Sequence, residues 1–371
     1  MIVKKEKETL LSYLEDSSNI SGGHADEIIL PEDIGELSRV VRDLSGKKIP
    51  ITLSGGGTGT TGSRIPFGGV VISMEKFNKI VGISLGEMSC VAESGVLVED
   101  LKSFCDKNGL FYTSHPTERT AFLGGTIATN ASGARSFKYG SIRRCIERLK
   151  MVLSCGEVLD LRRGEYFFKD GACRIRLESG RRIEIPTPTY RIPKVKNSAG
   201  YYAFDGSDLI DLFIGHEGTL SVIVEAELKL AKKPSDILSC FVFFSDVRDA
   251  WNFSAHARSV KDALSIEYFD QNALDILRSD CPDMPKGARG AIFFEQEITK
   301  GRDHDPAALL MKLIASHNAS VDDTWVAMND KDAQKFSGFR HAIPEHINNI
   351  IRGRGYQKIS TDIAVPENKF I

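Results

Sequence analysis

The chain has 371 residues, enough for two or three domains of about 150 residues each. Its hydrophobic and charged fractions, 42% and 26%, are those of a soluble globular protein, and a net charge of -2 provides no global field that would attract nucleic acid. The seven cysteines include no C-x-x-C pair, which argues against a disulfide framework or a structural zinc site and favours a cytoplasmic protein.

The first twenty residues, MIVKKEKETLLSYLEDSSNI, interrupt their apolar positions with charges every few residues. This pattern predicts an amphipathic helix and argues against a secretory signal. No stretch approaches the roughly 18 apolar residues that would span a bilayer. We therefore expect no transmembrane segment, and peripheral attachment to a membrane stays open.

A strand, a helix and a second strand are predicted next. Acidic residues after Pro31 suit a first helical turn, an apolar stripe continues over residues 34–44, and Gly46 ends the helix. Residues 49–53 then form a short strand, which leads into the segment LSGGGTGTTG. Residues 57–62 satisfy the G-x-G-x-x-G pattern of dinucleotide-binding loops, so a Rossmann unit is one interpretation.

The sequence after this loop contradicts the Rossmann interpretation. That fold requires a helix to begin at the last glycine, but Pro66 and the glycine pair at 68–69 break any helix, and a strand is predicted over residues 70–73. Ser63-Arg64 also stands where a Walker loop needs lysine followed by serine or threonine. We predict a helix-free loop between two strands, which is either an anion-binding concavity of main-chain N–H groups or a surface hairpin loop.

Two further glycine-bearing loops follow. Residues 112–140 are dominated by small residues, which let main chain approach a bulky ligand closely; a packed connecting loop is the alternative. Within it only residues 124–129 suggest a helical turn. CIERLKMVLSCGEVLDL predicts a hairpin, and DLFIGHEGTLSVIVEAELKL predicts a glycine turn before a strand. Together these elements predict one α+β domain that ends near Leu230.

The segments SGGGTGTTG, GGTIATNASGARSFKYG and IGHEGTLSVIVEAELKL occur in the order and spacing seen in flavin-linked oxidases of the vanillyl-alcohol-oxidase type. With KNSAGY, IEYFD and TDIAVP, the chain most closely resembles their D-lactate, glycolate and D-2-hydroxyglutarate dehydrogenase group from about residue 20 onward. The resemblance implies an α+β fold. A two-lobed PCMH-type FAD-binding domain would occupy residues 1–232, with its core at about 20–232, and an incomplete antiparallel sheet-and-helix cap, the substrate domain, would occupy residues 233–371.

The resemblance also implies which residues bind FAD. The first loop would wrap the diphosphate, the second would border the isoalloxazine and ribityl chain, and the third would complete the site. The matching residues are Ser54, Gly55, Gly56, Gly57, Thr58, Gly59, Thr60, Gly62 and Ser63 in the first loop, Pro116, Thr117, Gly124, Gly125, Thr126, Ala128, Asn130, Ser132, Gly133 and Gly140 in the second, and Glu217, Gly218 and Ile223 in the third. Relatives often carry arginine where Ser54 stands. No histidine lies between residues 49 and 70, so we expect FAD to be non-covalent.

Two cations at family positions are candidates for holding a substrate carboxylate. Arg340 lies in FSGFRHAIPEH and Lys358 in YQKISTDIAVP, although as bare sequence features both would be surface charges. Relatives continue further and carry an H-x-G-D-G-N-x-H motif with metal-binding and proton-abstracting histidines. Because this sequence stops at VPENKFI, we expect a fragment or a short form without a metal site.

These observations predict an FAD-dependent dehydrogenase that oxidises a small D-2-hydroxy acid, such as D-lactate, glycolate or D-2-hydroxyglutarate, to the 2-keto acid. Its electrons would pass to a quinone, a cytochrome, an electron-transfer flavoprotein or an iron–sulfur subunit. The alternative is a flavin-binding subunit of a larger oxidase that depends on its partner or has no activity of its own. Neither hypothesis involves nucleic acid.

Overall fold

The polypeptide divides into two units in the computed structural model, which describes residues 1–114, 118–298, 305–358, 362–366 and 369. The described residues of 1–131, 141–232 and 356–370 form the first unit, and those of 132–140 and 233–355 form the second. A division at residue 232 would assign the described residues of 132–140 to the first unit and those of 356–370 to the second. In the structure the first segment belongs to the second unit, and the other belongs to the first.

The first unit contains most of the strands. They are β1 (Ile2–Lys4), β2 (Glu27–Leu30), β3 (Ile51–Ser54), β4 (Val70–Ser73), β5 (Ile80–Ser84), β6 (Ser89–Glu93), β7 (Leu110–Phe111), β8 (Ile146–Leu153), β9 (Val158–Arg162), β10 (Ala172–Arg176), β11 (Arg182–Pro186), β12 (Ser221–Lys229) and β13 (Ala231–Lys232). Its helices are α1 (Lys7–Leu10), α2 (Ile34–Gly46), α3 (Val98–Lys107) and α4 (Leu123–Ala128), with short 3-10 helices at Leu11–Tyr13, Ile142–Cys145 and Leu209–Phe213.

The first sheet has the order β1-β2-β4-β3, and both β2 and β3 run parallel to β4. The predicted helix between β2 and β3 is confirmed as α2, which begins at Asp33, whose carboxylate accepts a hydrogen bond from the Glu36 N–H at 2.8 Å. Because β3 and β4 are parallel, the loop over residues 55–69 is a crossover, and the hairpin alternative is wrong.

The second sheet is antiparallel, with the order β5-β6-β12-β8-β9. The predicted hairpin is confirmed, since β8 and β9 pair from Arg148↔Arg162 to Val152↔Val158. The third glycine loop follows a 3-10 helix rather than a strand. A buried cluster joins the two sheets, because α2 packs against residues of both β4 and β8. The glycine loops thus emerge from a packed scaffold.

The amino terminus differs from the predicted continuous helix. Its first residues form β1, which pairs with β2 from Ile2↔Leu30 to Lys4↔Ile28, and helical structure is confined to α1 and the 3-10 helix Leu11–Tyr13 that follows it. Tyr13 is buried in a small apolar cluster with Leu30. The helix prediction fails because pairing with β2 satisfies the main chain of these residues, and a local pattern contains no information on that pairing.

The second unit is a sheet covered by helices. Its elements are α5 (Ser136–Tyr139), β14 (Asp236–Phe244), α6 (Val247–Ala257), β15 (Ala263–Asp270), α7 (Gln271–Leu277), β16 (Gly290–Ile298), α8 (Pro306–Ala315), β17 (Trp325–Val326) and α9 (Asp330–Gly353). The sheet is antiparallel with the order β15-β16-β14-β17. Apolar side chains of α6 and α8 pack on one face, and those of α7 and α9 pack on the other. The predicted α+β class is confirmed.

None of the helices that the structure describes combines the length and the apolar character needed to cross a membrane.

Candidate functional site

The first glycine loop joins β3 to β4 without a helix. Ser54 ends β3 and is buried, while Gly57 and Gly62 adopt φ angles of +75° and +77°, which side chains with a Cβ atom rarely tolerate. Residues 63–69 form turns and a bridge, so no helix rises from Gly62. The Rossmann interpretation is therefore excluded, and the predicted helix-free loop is confirmed.

The main-chain N–H groups of this loop are its most informative feature. Within the described part of the chain, none of the N–H groups of residues 55–61 donates a hydrogen bond, whereas the next one, that of Gly62, donates to the Asp16 carboxylate at 3.1 Å. Main-chain N–H groups in folded proteins nearly always have a partner, which can be water or a ligand. Successive unpaired N–H groups in a glycine-rich bend form a concave donor surface suited to an anion.

The second loop packs directly against the first. A methyl group on Gly56 would lie 2.7 Å from the Thr120 carbonyl oxygen, and one on Gly55 would lie 3.8 Å from Phe122. Phe122 also precedes the first residue of α4, so the start of this helix contacts the first loop. A larger residue in place of Gly56 would push the two loops apart, whereas Gly55 is at ordinary contact distance from the second loop.

Gly124 and Gly125, both in α4, have different surroundings. The Gly124 N–H donates to the Ser94 carbonyl at 2.7 Å, and a methyl group on Gly124 would lie 2.6 Å from the Ser94 Cβ atom. Gly125 is exposed, and a methyl group there would meet no atom within 4 Å. Since helical glycine costs about 1 kcal/mol relative to alanine, the fold gives no reason for Gly125. Its bare main chain leaves space for a flat ligand.

The third loop is attached to the end of α4. The N–H of Gly215 donates to the Ile127 carbonyl at 3.0 Å, and the N–H of Glu217 donates to the Ala128 carbonyl at 2.8 Å. A methyl group on Gly218 would lie 3.2 Å from the Leu53 side chain of β3. The first loop, residues 118–131 of the second loop and the third loop are therefore brought together in the first unit.

His216 is a buried polar group in the third loop and was not among the site residues predicted from the sequence. Its side chain is 2% exposed, and its Nδ1 accepts a hydrogen bond from the Leu220 N–H at 3.3 Å. Burial lowers the pKa of His216 to about 4, so the ring is neutral and its Nε2 carries the proton. Neither this Nε2 nor the Oδ1 of buried Asn130 has a partner among the described residues. The glycine on either side of His216-Glu217 was the available signal.

Some predicted FAD contacts belong to the second unit or lie outside the described residues. Ser132, Gly133 and Gly140 belong to the segment that is part of the second unit, and Pro116 and Thr117 lie outside the described residues. In the same segment, the Arg135 guanidinium contacts the Glu295 carboxylate through two hydrogen bonds of 3.1 and 3.2 Å. The Lys138 ammonium contacts the Glu297 carboxylate at 2.6 Å.

Other predicted contacts have partners within the protein. Thr126 is buried, and its hydroxyl donates to the Leu123 carbonyl at 2.7 Å, while Ile223 is a buried residue of β12. Thr126 can therefore support α4, and Ile223 can support the sheet, whether or not a ligand is bound.

The two candidate substrate cations lie in different units. Arg340, on α9, forms a two-point contact with Glu267, in which Nη2 and Oε1 are 2.9 Å apart, and its guanidinium lies 5.1 Å from the centre of the Phe293 ring. Lys358 lies in the first unit, where its N–H donates to the Ser18 carbonyl at 3.1 Å and partial burial lowers the pKa of its ammonium group. Arg340 thus already has a carboxylate partner.

Arg64, which sequence reasoning noted only as the wrong residue for a Walker loop, contacts the first loop. Its Nε donates to the Ser54 hydroxyl at 2.8 Å, and its Nη2 donates to the Ser12 carbonyl at 2.9 Å. No sequence pattern connects Arg64 with Ser54, because the contact depends on how the loop folds back.

As for metals, the described residues contain no group of three or more His, Cys, Asp or Glu side chains placed to hold an ion.

Comparison with known proteins identifies the domain that contains the first two loops. Residues 25–162 match the family described as FAD binding domain. The chain is 34% identical over 215 residues to D-lactate dehydrogenase of Anaerostipes hadrus, which covers 58% of this chain and 38% of that protein. It is 27% identical over 297 residues to glycolate oxidase subunit GlcD of Bacillus subtilis, which covers 77% of this chain and 54% of that protein. The chain therefore spans about half the length of these relatives or less.

The fold has a counterpart among solved structures. A structure of alkyldihydroxyacetonephosphate synthase matches with a TM-score of 0.72 and 20% identity, covering 94% of this chain and 66% of that one. The resemblance inferred from the three glycine loops is confirmed by these comparisons, and so is the fold class.

Proposed function

We propose that this chain, whose residues 25–162 match the family described as FAD binding domain, holds FAD at the three glycine loops and oxidises a small D-2-hydroxy acid to the 2-keto acid. The observation that supports this most is the row of N–H groups at residues 55–61, which have no acceptor among the described residues and lie next to the uncovered main chain of Gly125.

The residues present fit FAD in two chemically different places. The N–H groups of residues 55–61 would donate to the diphosphate oxygens, as successive main-chain donors do at anion sites. The bare main chain at Gly125 would admit a flat ring system that a side chain would push away. We further propose that the cofactor is not covalently attached, since no histidine lies in the first loop.

When bound, FAD supplies the hydride acceptor for oxidation of the hydroxyl-bearing carbon. The protein's part is to orient the substrate. His216 offers a buried N–H donor in the third loop and, because its ring is neutral, adds no positive charge there. Arg340 is our candidate for the substrate carboxylate, because its Nη1 donates no hydrogen bond among the described residues while Nε and Nη2 hold Glu267. Lys358 is proposed as a second carboxylate contact.

The electrons would leave to a separate acceptor, for which a quinone, a cytochrome, an electron-transfer flavoprotein or an iron–sulfur subunit are the candidates. We also propose a cytoplasmic location, with peripheral membrane attachment as a variant of it. Both proposals follow from the family resemblance.

The test is anaerobic titration of the purified, FAD-reconstituted chain with D-lactate, glycolate or D-2-hydroxyglutarate, with L-lactate as the control. We expect one of the first three acids to bleach the visible absorbance of the oxidised flavin. Bound FAD that none of the acids reduces would favour the non-catalytic subunit instead. A chain that takes up no FAD would contradict both functions.

A further inference from the structure

Among the described residues, the groups that accept hydrogen bonds from Arg64 beside the first glycine loop are all neutral. Its Nε donates to the Ser54 hydroxyl at 2.8 Å, its Nη1 to the Glu15 carbonyl at 3.3 Å and its Nη2 to the Ser12 carbonyl at 2.9 Å. A methyl group on Gly57 would lie 1.7 Å from Nη1, so the guanidinium occupies the space that a side chain at this position would need. The glycine therefore makes room for a cation inside the loop.

This cation has no counter-ion within the described part of the chain. Partly buried arginines elsewhere in the first unit do have one: Arg143 and Arg163 both contact the Asp211 carboxylate, at 3.3 and 3.1 Å, and Arg148 contacts that of Glu225 at 2.7 Å. Arg64 forms no ion pair with any described carboxylate, and its three acceptors are a hydroxyl and two carbonyls.

The position of Arg64 has an electrostatic consequence. Its partial burial lowers the pKa of the guanidinium, which nevertheless stays charged at neutral pH. Asp16, Glu15 and Glu75 act on it only through space. A desolvated charge without a paired anion is unfavourable, so a ligand anion that completes the pair gains free energy at this place.

We propose that Arg64 is the cation that neutralises the diphosphate of the cofactor, supplied from the far end of the loop in a chain that has serine at position 54. The proposal rests on the proposed function for the identity of the ligand. The unpaired N–H groups of residues 55–61 and the two guanidinium N–H directions not used by Ser12, Ser54 or Glu15 would then serve the same anion. A charge-assisted bond of this kind is about twice as strong as a neutral one.

The experiment measures binding of three probes by calorimetry and fluorescence quenching: FAD, ADP and riboflavin. ADP contains the diphosphate without the flavin, and riboflavin contains the flavin ring without phosphate. We expect Arg64→Gln to weaken FAD and ADP about tenfold or more and to leave riboflavin unchanged. Arg42→Gln is the matched control, because Arg42 also donates to main-chain carbonyls, those of Cys155 and Gly156, but lies away from the loop. It should change no affinity.

Two further variants separate charge from architecture. Arg64→Lys should retain most of the ADP affinity. The double variant Ser54→Arg with Arg64→Ser should recover the ADP affinity that Arg64→Ser alone loses, because it places a guanidinium at the other end of the loop. Equal losses for riboflavin and ADP, or unchanged ADP affinity in Arg64→Gln, would overturn the role of Arg64. If Arg64→Gln does not fold, ADP binding to the wild type and to Arg64→Lys still tests the role of Arg64, because the ADP affinity of both must fall as ionic strength rises. Wild type that binds ADP but not FAD would contradict only the proposed function, and wild type that binds neither would contradict both proposals.

Discussion

The glycine-loop site of the first unit and the carboxylates on β15 and β16 of the second unit differ in one respect, which is whether the charged groups have partners of opposite charge. In the second unit, Arg135 faces Glu295, Lys138 faces Glu297 and Arg340 faces Glu267. In the first unit, Arg64 and the N–H groups of residues 55–61 have no anionic partner among the described residues. Both regions are rich in polar groups. Among the described residues, however, only the cations of the second unit are paired with carboxylates of the protein.

The difference separates polar groups that hold a fold together from polar groups that await a ligand. A buried pair is expensive to break because it leaves one charge behind, so it contributes to the integrity of its unit. A donor set without an anionic partner gains free energy when an anion binds to it. Stability and ligand affinity should therefore respond in different regions, and variants can test this.

The largest effect is expected from the second unit. Glu295→Gln removes the charge that faces Arg135, in a pair whose side chains are only 11% and 16% exposed, and should lower the free energy of unfolding by about 3 kcal/mol. The control is Glu184→Gln, which breaks the Arg174–Glu184 pair, whose side chains are 62% and 63% exposed, and should change it by less than about 1 kcal/mol. Urea unfolding measures both, and similar effects of the two variants would contradict the distinction.

The adjacent glycines of α4 give a contrast inside the first unit. Gly124→Ala places a methyl group 2.6 Å from the Ser94 Cβ atom and should destabilise the protein by about 2 kcal/mol. Gly125→Ala meets no atom and should stabilise the empty protein by up to about 1 kcal/mol, while FAD affinity falls. Thermal unfolding measures the stability of both variants, and FAD titration measures their affinity for the cofactor. Unchanged FAD affinity in Gly125→Ala would remove this residue from the site.

Arg340 tests whether a paired cation in the second unit also has a ligand. Arg340→Lys keeps the charge but loses the planar fork, so KM for the hydroxy acid should rise about tenfold while FAD affinity stays the same. Glu267→Gln removes the competing carboxylate, so KM should fall. If steady-state assays show a normal KM in both variants and only reduced stability, Arg340 is a structural partner of Glu267 alone.

At neutral pH the smallest effect is that of His216 ionisation, which grows only as the pH falls below about 6.5. Its folded pKa of about 4 lies below the ordinary value of 6.5, so between these values the unfolded chain binds a proton that the folded chain does not. The stabilisation is complete above about pH 6.5 and is lost as pH falls toward 4, by at most about 1.4 kcal/mol per pH unit. Urea unfolding at several pH values should show a shallower decline for His216→Gln than for wild type. Parallel curves would show that His216 does not titrate in this way.

Local signals in the sequence were sufficient for much of the fold. Pro66 and the glycine pair at 68–69 exclude a helix after Gly62, and Asp33 with the apolar stripe after it predicts α2. Each of these signals acts within a few residues, where steric and capping effects decide the main-chain conformation. The amino-terminal helix failed because β1 depends on a distant strand, β2.

The sequence by itself determined the three glycine loops, their order and their resemblance to FAD-binding proteins, because glycine and proline restrict the main chain wherever they stand. Only the tertiary structure decided that β3 and β4 are parallel, that Arg64 reaches back to Ser54, and that Gly125 but not Gly124 is uncovered. These features depend on atoms that are distant in sequence and close in space, and a residue's need for a partner becomes visible only when its neighbours are in place.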